Sequence, residues 1–170
     1  MNDAHLHMVV NHFPIIGTIL GLGILITGII LKNNSVKNTA YFLFIVAAVF
    51  AAFSMGTGER AEELVEDMPY VGKQIIHEHE EMAEKLAVVL YALGVISLVG
   101  LFLSYKNNSK VKFVSYVAVV VAFVGVFFAQ QTGTTGGEIR HTEIRVNAVQ
   151  TSDTEKNAAA DKQAEAEVND

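Results

Sequence analysis

The chain has 170 residues, 51% of them hydrophobic and only 18% charged, with a mean hydropathy of +0.36 and a formal net charge of −6. That mixture, once the charges are seen to cluster between long apolar runs, excludes a soluble enzyme, a basic nucleic-acid binder and a disordered chain. The absence of cysteine excludes disulfides, iron–sulfur clusters, thiolate zinc sites and covalently attached haem, leaving histidine and carboxylate as ligand chemistry.

Four stretches carry no Asp, Glu, Lys, Arg or His: Phe13 to Leu31, Thr39 to Gly58, Leu86 to Tyr105 and Phe113 to Gly136. About 20 residues at about 1.5 Å each match a hydrocarbon core of about 30 Å, so each is expected to span a bilayer. The fold class expected is all-α, an integral membrane up-down four-helix bundle over residues 1–146, with spans near 13–31, 39–57, 86–105 and 113–131. The first run is too long for a signal-peptide core and lacks a basic flank, so it reads as a retained anchor. Gly17 and Gly21 in its G-x-x-x-G frame favour close helix packing.

The loops at 32–38 and 106–112 hold Lys32, Lys37, Lys106, Lys110 and Lys112 and no acid, which places them inside by the positive-inside rule. Both termini then lie on the periplasmic or extracellular side of a bacterial cytoplasmic membrane. Those loops are short, so consecutive helices are antiparallel neighbours. No convincing internal repeat emerges. Residues 57–69 alternate acids with Ala61, Leu64, Val65 and Met68, which predicts an amphipathic helix lying across the outer mouth. Glu59 with Glu63, and Glu62 with Glu66, repel at four-residue spacing. Residues 130–137 read as a flexible turn that lets Glu138 to Arg145 fold back, and 147–170 as a disordered acidic tail.

All six histidines fall on the outer side. At the mouth of helix one, His5, His7 and His12 lie within eight positions. Either Asn11 caps a helix with Pro14 in its first turn, or the helix starts near Asp3. In the second case His5 and His12 share one face, His7, Asn11 and Thr18 another, and Pro14 kinks the helix. In Ile75-Ile76-His77-Glu78-His79-Glu80-Glu81, helical phase puts His79 within the apolar stripe of Ile75, Met82, Ala83 and Leu86, and His77 among acids. An inward imidazole needs a partner for each nitrogen, which a metal or haem iron and a hydrogen bond would supply. The string is not H-E-x-x-H, and the glycines after helix four are no phosphate loop. No ionisable residue lies within a span, so the chain alone offers no path for ion transport.

His-x-His-x-x-x-Asn-His-Phe-Pro at 5–14, Thr-Gly-Glu-Arg-Ala-Glu-Glu at 57–63, His-Glu-His-Glu-Glu at 77–81 and Thr-Gly-x-x-Gly-Gly-Glu-Ile-Arg-His at 132–141 form an ordered set. Over roughly residues 1–145 the chain resembles a widespread bacterial family of four-helix membrane proteins with a domain of unknown function. The resemblance implies four spans, an outer histidine cluster and association with cytochromes or metal proteins, and no catalytic residue.

The reading that follows is a membrane electron-transfer protein holding haem b between helices one and three. His12 and His79 serve as axial ligands, His7 as a substitute or supporting group, and Arg140 and Arg145 as propionate partners. A second reading is an exposed copper, zinc or iron site using His5, His7, His77 and His141. A third is a non-catalytic accessory subunit with incidental histidines and no cofactor. Expected partners are the lipid bilayer, cytochromes or other respiratory membrane subunits, and a second copy in a homo-oligomer, with no nucleic acid.

Overall fold

The computed structural model describes residues 2–65 and 71–145. Five helices follow in order: α1 (Asp3–Val10), α2 (His12–Ile30), α3 (Asn34–Val65), α4 (Lys73–Tyr105) and α5 (Val111–Arg140), then a 3-10 turn at Thr142–Ile144. The described residues contain no strand. Four helical units, α1 with α2 counting as one, are long and apolar enough to cross a membrane. Their outward surface is a belt of exposed apolar side chains, among them Ile16, Ile19, Phe42, Val95, Phe102, Val120 and Phe127. Such a belt far exceeds the patches of ordinary soluble monomers.

The first helix begins at Asp3, where the Asn2 side chain accepts from the His5 N–H at 3.0 Å. It breaks only at Asn11. Pro14 has no N–H to offer the carbonyl four residues before it, at Val10, which explains the interruption there. The α2 to α5 helices pack as a ring, α2 on α3, α3 on α4, α4 on α5 and α5 back on α2, while α1 lies against α3.

The inward positions follow a repeat of three and four. On α2 the buried residues include Pro14, Thr18, Gly21, Leu25 and Gly28, and on α4 Leu86, Leu90, Leu93, Ser97, Gly100 and Ser104. On α3 they include Ala40, Phe44, Ala47 and Ala51, and on α5 Ser115, Ala118, Ala122, Ala129 and Thr132. A period of 3.5 is the seam of a left-handed helical bundle. Small residues on it let large ones reach across. Tyr41 lies over Gly100, where a β-carbon would meet its ring at 2.6 Å, and bonds the Ser115 hydroxyl at 2.8 Å.

Both short turns use Lys-Asn-Asn-Ser, at 32–35 and 106–109, so a repeat exists that composition alone does not reveal. The left-handed residue is Lys32 (φ 51°) in one and Asn107 (φ 50°) in the other. In the first, Asn33 N–H bonds the Gly28 carbonyl and Lys32 N–H that of Ile29; in the second, Asn108 bonds Leu103 and Asn107 bonds Ser104. This is the same helix stop built twice, a Schellman pattern.

Two expectations are corrected. Residues 57–65 do not lie across the mouth as a separate helix but continue α3 along its axis, and residues 130–137 are not a turn but part of α5. Each helical glycine costs about 1 kcal/mol relative to alanine. The continuing seam offsets it, for Ala61 and Thr132 are buried in these extensions. At about 1.5 Å per residue, the 32 residues of α3 and 33 of α4 reach about 50 Å, so their histidine-side ends project beyond any apolar slab. Met68 and Pro69, with the rest of 66–70, and the acidic tail at 147–170 lie outside the described residues.

Candidate functional site

The seams of the four spans run on into this projecting end of the bundle. Continuing the three-four repeat back from Pro14 gives Asn11 and His7, and back from Leu86 gives Ala83 and His79. Continuing it forward gives Ser54 and Gly58 on α3, and Thr132 and Gly136 on α5. The two histidines are thus placed inward on opposite hairpins, each half-buried, and near enough that the charge of His7 acts on His79.

Each ring is held by the helix that follows it in its hairpin. His7 Nδ1 lies 3.1 Å from the Ser54 carbonyl and 3.2 Å from Thr57 Oγ1. His79 Nδ1 lies 3.1 Å from Thr135 Oγ1. A carbonyl only accepts, so His7 Nδ1 carries the proton. Thr135 donates its own proton to the Gln131 or Thr132 carbonyl, so its oxygen accepts from His79. Both neutral rings therefore keep the Nε2 lone pair for another group.

The threonines meet the histidines because each pair is equidistant from its turn. Lys32 stands 25 residues after His7 and 25 before Thr57; Asn107 stands 28 residues after His79 and 28 before Thr135. In an antiparallel pair such residues come level. Glycine follows each threonine and makes room: a β-carbon at Gly58 would touch His7 Cε1 at 3.4 Å, and one at Gly136 would crowd His79 Cε1 at 3.0 Å.

Both rings lie outside the charge-free spans, and burial pushes both below the ordinary histidine range. The Ser54 carbonyl partly offsets this at His7. At His79 the neighbouring His7 lowers it further, while the Thr132 carbonyl raises it. Both are neutral at pH 7. Beside them the Asn11 Oδ1 and Thr132 Oγ1 atoms are buried without a hydrogen-bond partner. Buried polar atoms are ordinarily satisfied, so these two hold unspent capacity next to the paired imidazoles.

The structure does not bring His12 to His79. His12 is exposed and its Nδ1 bonds the Met8 carbonyl of its own helix at 2.8 Å. His5 is exposed. His77 is exposed among acids, 3.5 Å from Glu81 and 3.9 Å from Glu80, and His141 lies 2.9 Å from Glu143. Among the described residues no group of three or more His, Asp or Glu side chains is arranged to hold a metal ion. Arg145 donates to the Glu138 carbonyl at 2.8 Å and the Ile139 carbonyl at 3.3 Å, closing the end of α5. The Arg140 side chain lies outside the described residues.

No family model, curated protein or solved structure matches this chain. The site therefore stands on its own geometry. Ser54, Thr57, Thr132 and Thr135 are the site residues that sequence reasoning missed; equal spacing from the two turns is the signal that finds Thr57 and Thr135, and the three-four repeat is the one that finds Ser54 and Thr132.

Farther out, Glu62 of α3 meets Glu80 of α4 rather than acting only within its own helix. A hydrogen bond that protonated Glu80 donates to Glu62, then partial burial and the charges of Glu62 and Glu84, hold the Glu80 carboxyl above the usual range, against the pull of His77.

Proposed function

We propose that this chain is a multi-pass membrane protein that holds haem b between His7 and His79, as an electron-transfer site at the end of the bundle where α1 begins and α5 ends. The observation that carries the reading is the matched pair of inward imidazoles, each tied through Nδ1 with the Nε2 lone pair left free. An imidazole that would hold a haem iron ordinarily has its other nitrogen fixed in this way, by a carbonyl or hydroxyl.

The residues present fit such a group. Two imidazoles suffice for an iron whose remaining ligands come from the macrocycle, whereas an all-protein metal site needs three or more ligands. Gly58 and Gly136 let the two rings lie close against α3 and α5, and Asn11 and Thr132 hold buried polar atoms without a partner at the same end. When bound, haem supplies one-electron chemistry. Ser54, Thr57 and Thr135 orient the two rings and keep their Nε2 atoms unprotonated. The lysine-bearing turns at the far end support a cytoplasmic placement for them, with both termini outside and a cytochrome or other respiratory membrane subunit as redox partner.

An optical spectrum of protein purified in mild detergent from haem-supplied cells tests this. A Soret band that vanishes or shifts in His7→Ala and His79→Ala, and survives in His12→Ala and His77→Ala, is the expected result. Wild-type protein with neither haem nor metal would instead leave an accessory subunit with incidental histidines.

A further inference from the structure

At the opposite end from the histidines, a cavity of about 180 Å³ opens between the two Lys-Asn-Asn-Ser turns. It has room for several waters at roughly 30 Å³ each, and so for one tetrahedral anion. Its lining includes Lys37, Lys112, Asn34, Ser104, Asn107 and Ser109. All six carry side-chain groups able to donate hydrogen bonds.

Lys37 is the unusual member. Only 6% of it is exposed, and no described residue pairs with or accepts from its ammonium group. Its stem is laid against α2 at Gly28, where a β-carbon would stand 2.8 Å from Lys37 Cγ, and its ammonium feels the positive charge of Lys112. No acid is near in sequence to compensate, since residues 4–58 and 85–137 contain neither Asp nor Glu. Two cations that face one cavity with no acid beside them repel unless an anion joins them. The cavity also sits at the starts of α3 and α5, whose dipoles favour negative charge.

We propose that this cavity binds a phosphate group, carried by an anionic lipid headgroup or free in solution, with Lys37 and Lys112 as its paired cations. Asn and Ser side chains complete the shell, and a phosphate oxygen gives each ammonium a charge-assisted hydrogen bond. The site is independent of the haem reading, because it lies at the other end of the bundle and uses none of the same residues.

Thermal unfolding of the full chain tests the proposal in two media. One set uses nanodiscs of phosphatidylcholine with or without phosphatidylglycerol; the other uses detergent micelles with inorganic phosphate or chloride at equal ionic strength. Protection by phosphatidylglycerol without a response to phosphate assigns the headgroup as the source, and protection by inorganic phosphate assigns the free ion. In either case Lys37→Gln and Lys112→Gln should weaken the response by about five- to tenfold. Lys112 is exposed, so its variant reports even where Lys37→Gln disturbs folding. Lys106→Gln, whose ammonium lies 5.9 Å from the Phe102 and Tyr105 ring centres and outside the cavity, should respond as wild type. No protection in either medium, or a wild-type response in Lys112→Gln, would overturn the proposal.

Discussion

His79 lies so close over Gly136 that a methyl group there would stand 3.0 Å from its Cε1 and 3.3 Å from its Nδ1. Gly133, one turn earlier on α5, faces open space with nothing within 4 Å. Helix propensity favours alanine over glycine at both positions by about 1 kcal/mol. Gly133→Ala should therefore raise thermal stability. Gly136→Ala should lose that gain, because the ring must leave its Thr135 partner to make way, and any cofactor spectrum should change with it. Equal stabilisation by both substitutions would show that the ring is not confined.

The two inward histidines should also differ in stability from their outward neighbours. His79→Ala and His7→Ala each leave a threonine and buried seam positions without their partner, at a cost of about 1–3 kcal/mol. His77→Ala and His12→Ala remove exposed rings and should change stability by about 0.5 kcal/mol or less. Unfolding curves of the four variants, measured without added haem, check this. A His12→Ala loss as large as that of His7→Ala would place the wrong histidine in the bundle.

Much of this arrangement is legible in the order of the residues. Helical phase alone puts His79 with Ile75, Met82 and Leu86 and sends His77 outward, and the charge-free runs locate four spans. At helix one the phase is ambiguous only while its start is unknown. With the start at Asp3, the spacing 7, 11, 14, 18, 21, 25 and 28 turns His7 inward and His12 outward. At 58–65 the helix is legible but its continuity with α3 is not, and at 131–140 the helix itself is illegible, for a physical reason. The glycines at 56, 58, 133, 136 and 137 and the threonines beside them have poor helix propensity, and what carries the helices through them is burial of Ala61 and Thr132 on seams set by residues far away in the chain. The Thr57 and Thr135 partners need the turns located to the residue, since a one-residue error rotates each helix by about 100°.

The depressed histidines make stability depend on pH with a definite sign. Above the unfolded value of 6.5, both states are neutral and stability is level. As pH falls below it, the unfolded chain takes up protons that the folded rings refuse, so stability declines until the folded values are passed. His79→Gln should flatten part of that decline as the pH falls below 6.5. An unchanged slope in the variant would assign the effect to other groups.

Glu80 carries the opposite sign, so it can be separated from the histidines. Its carboxyl is held above the usual 4.5 by the hydrogen bond with Glu62 and by the nearby acids, which means the folded state resists full ionisation of this pair. At neutral pH the charges of Glu62 and Glu84 beside the Glu80 carboxylate oppose the joining of α3 to α4. As pH falls through the raised value the folded protein binds a proton before the unfolded chain does, and stability rises. Glu62→Gln supplies an amide donor in place of that proton. It should raise the unfolding temperature at pH 7–8, and the gain should shrink as the solution is made more acidic. Because the pair is largely solvent-facing, the gain should also shrink with added salt. A variant less stable than wild type at neutral pH would show that Glu62 is held there by a cation rather than repelled by Glu80.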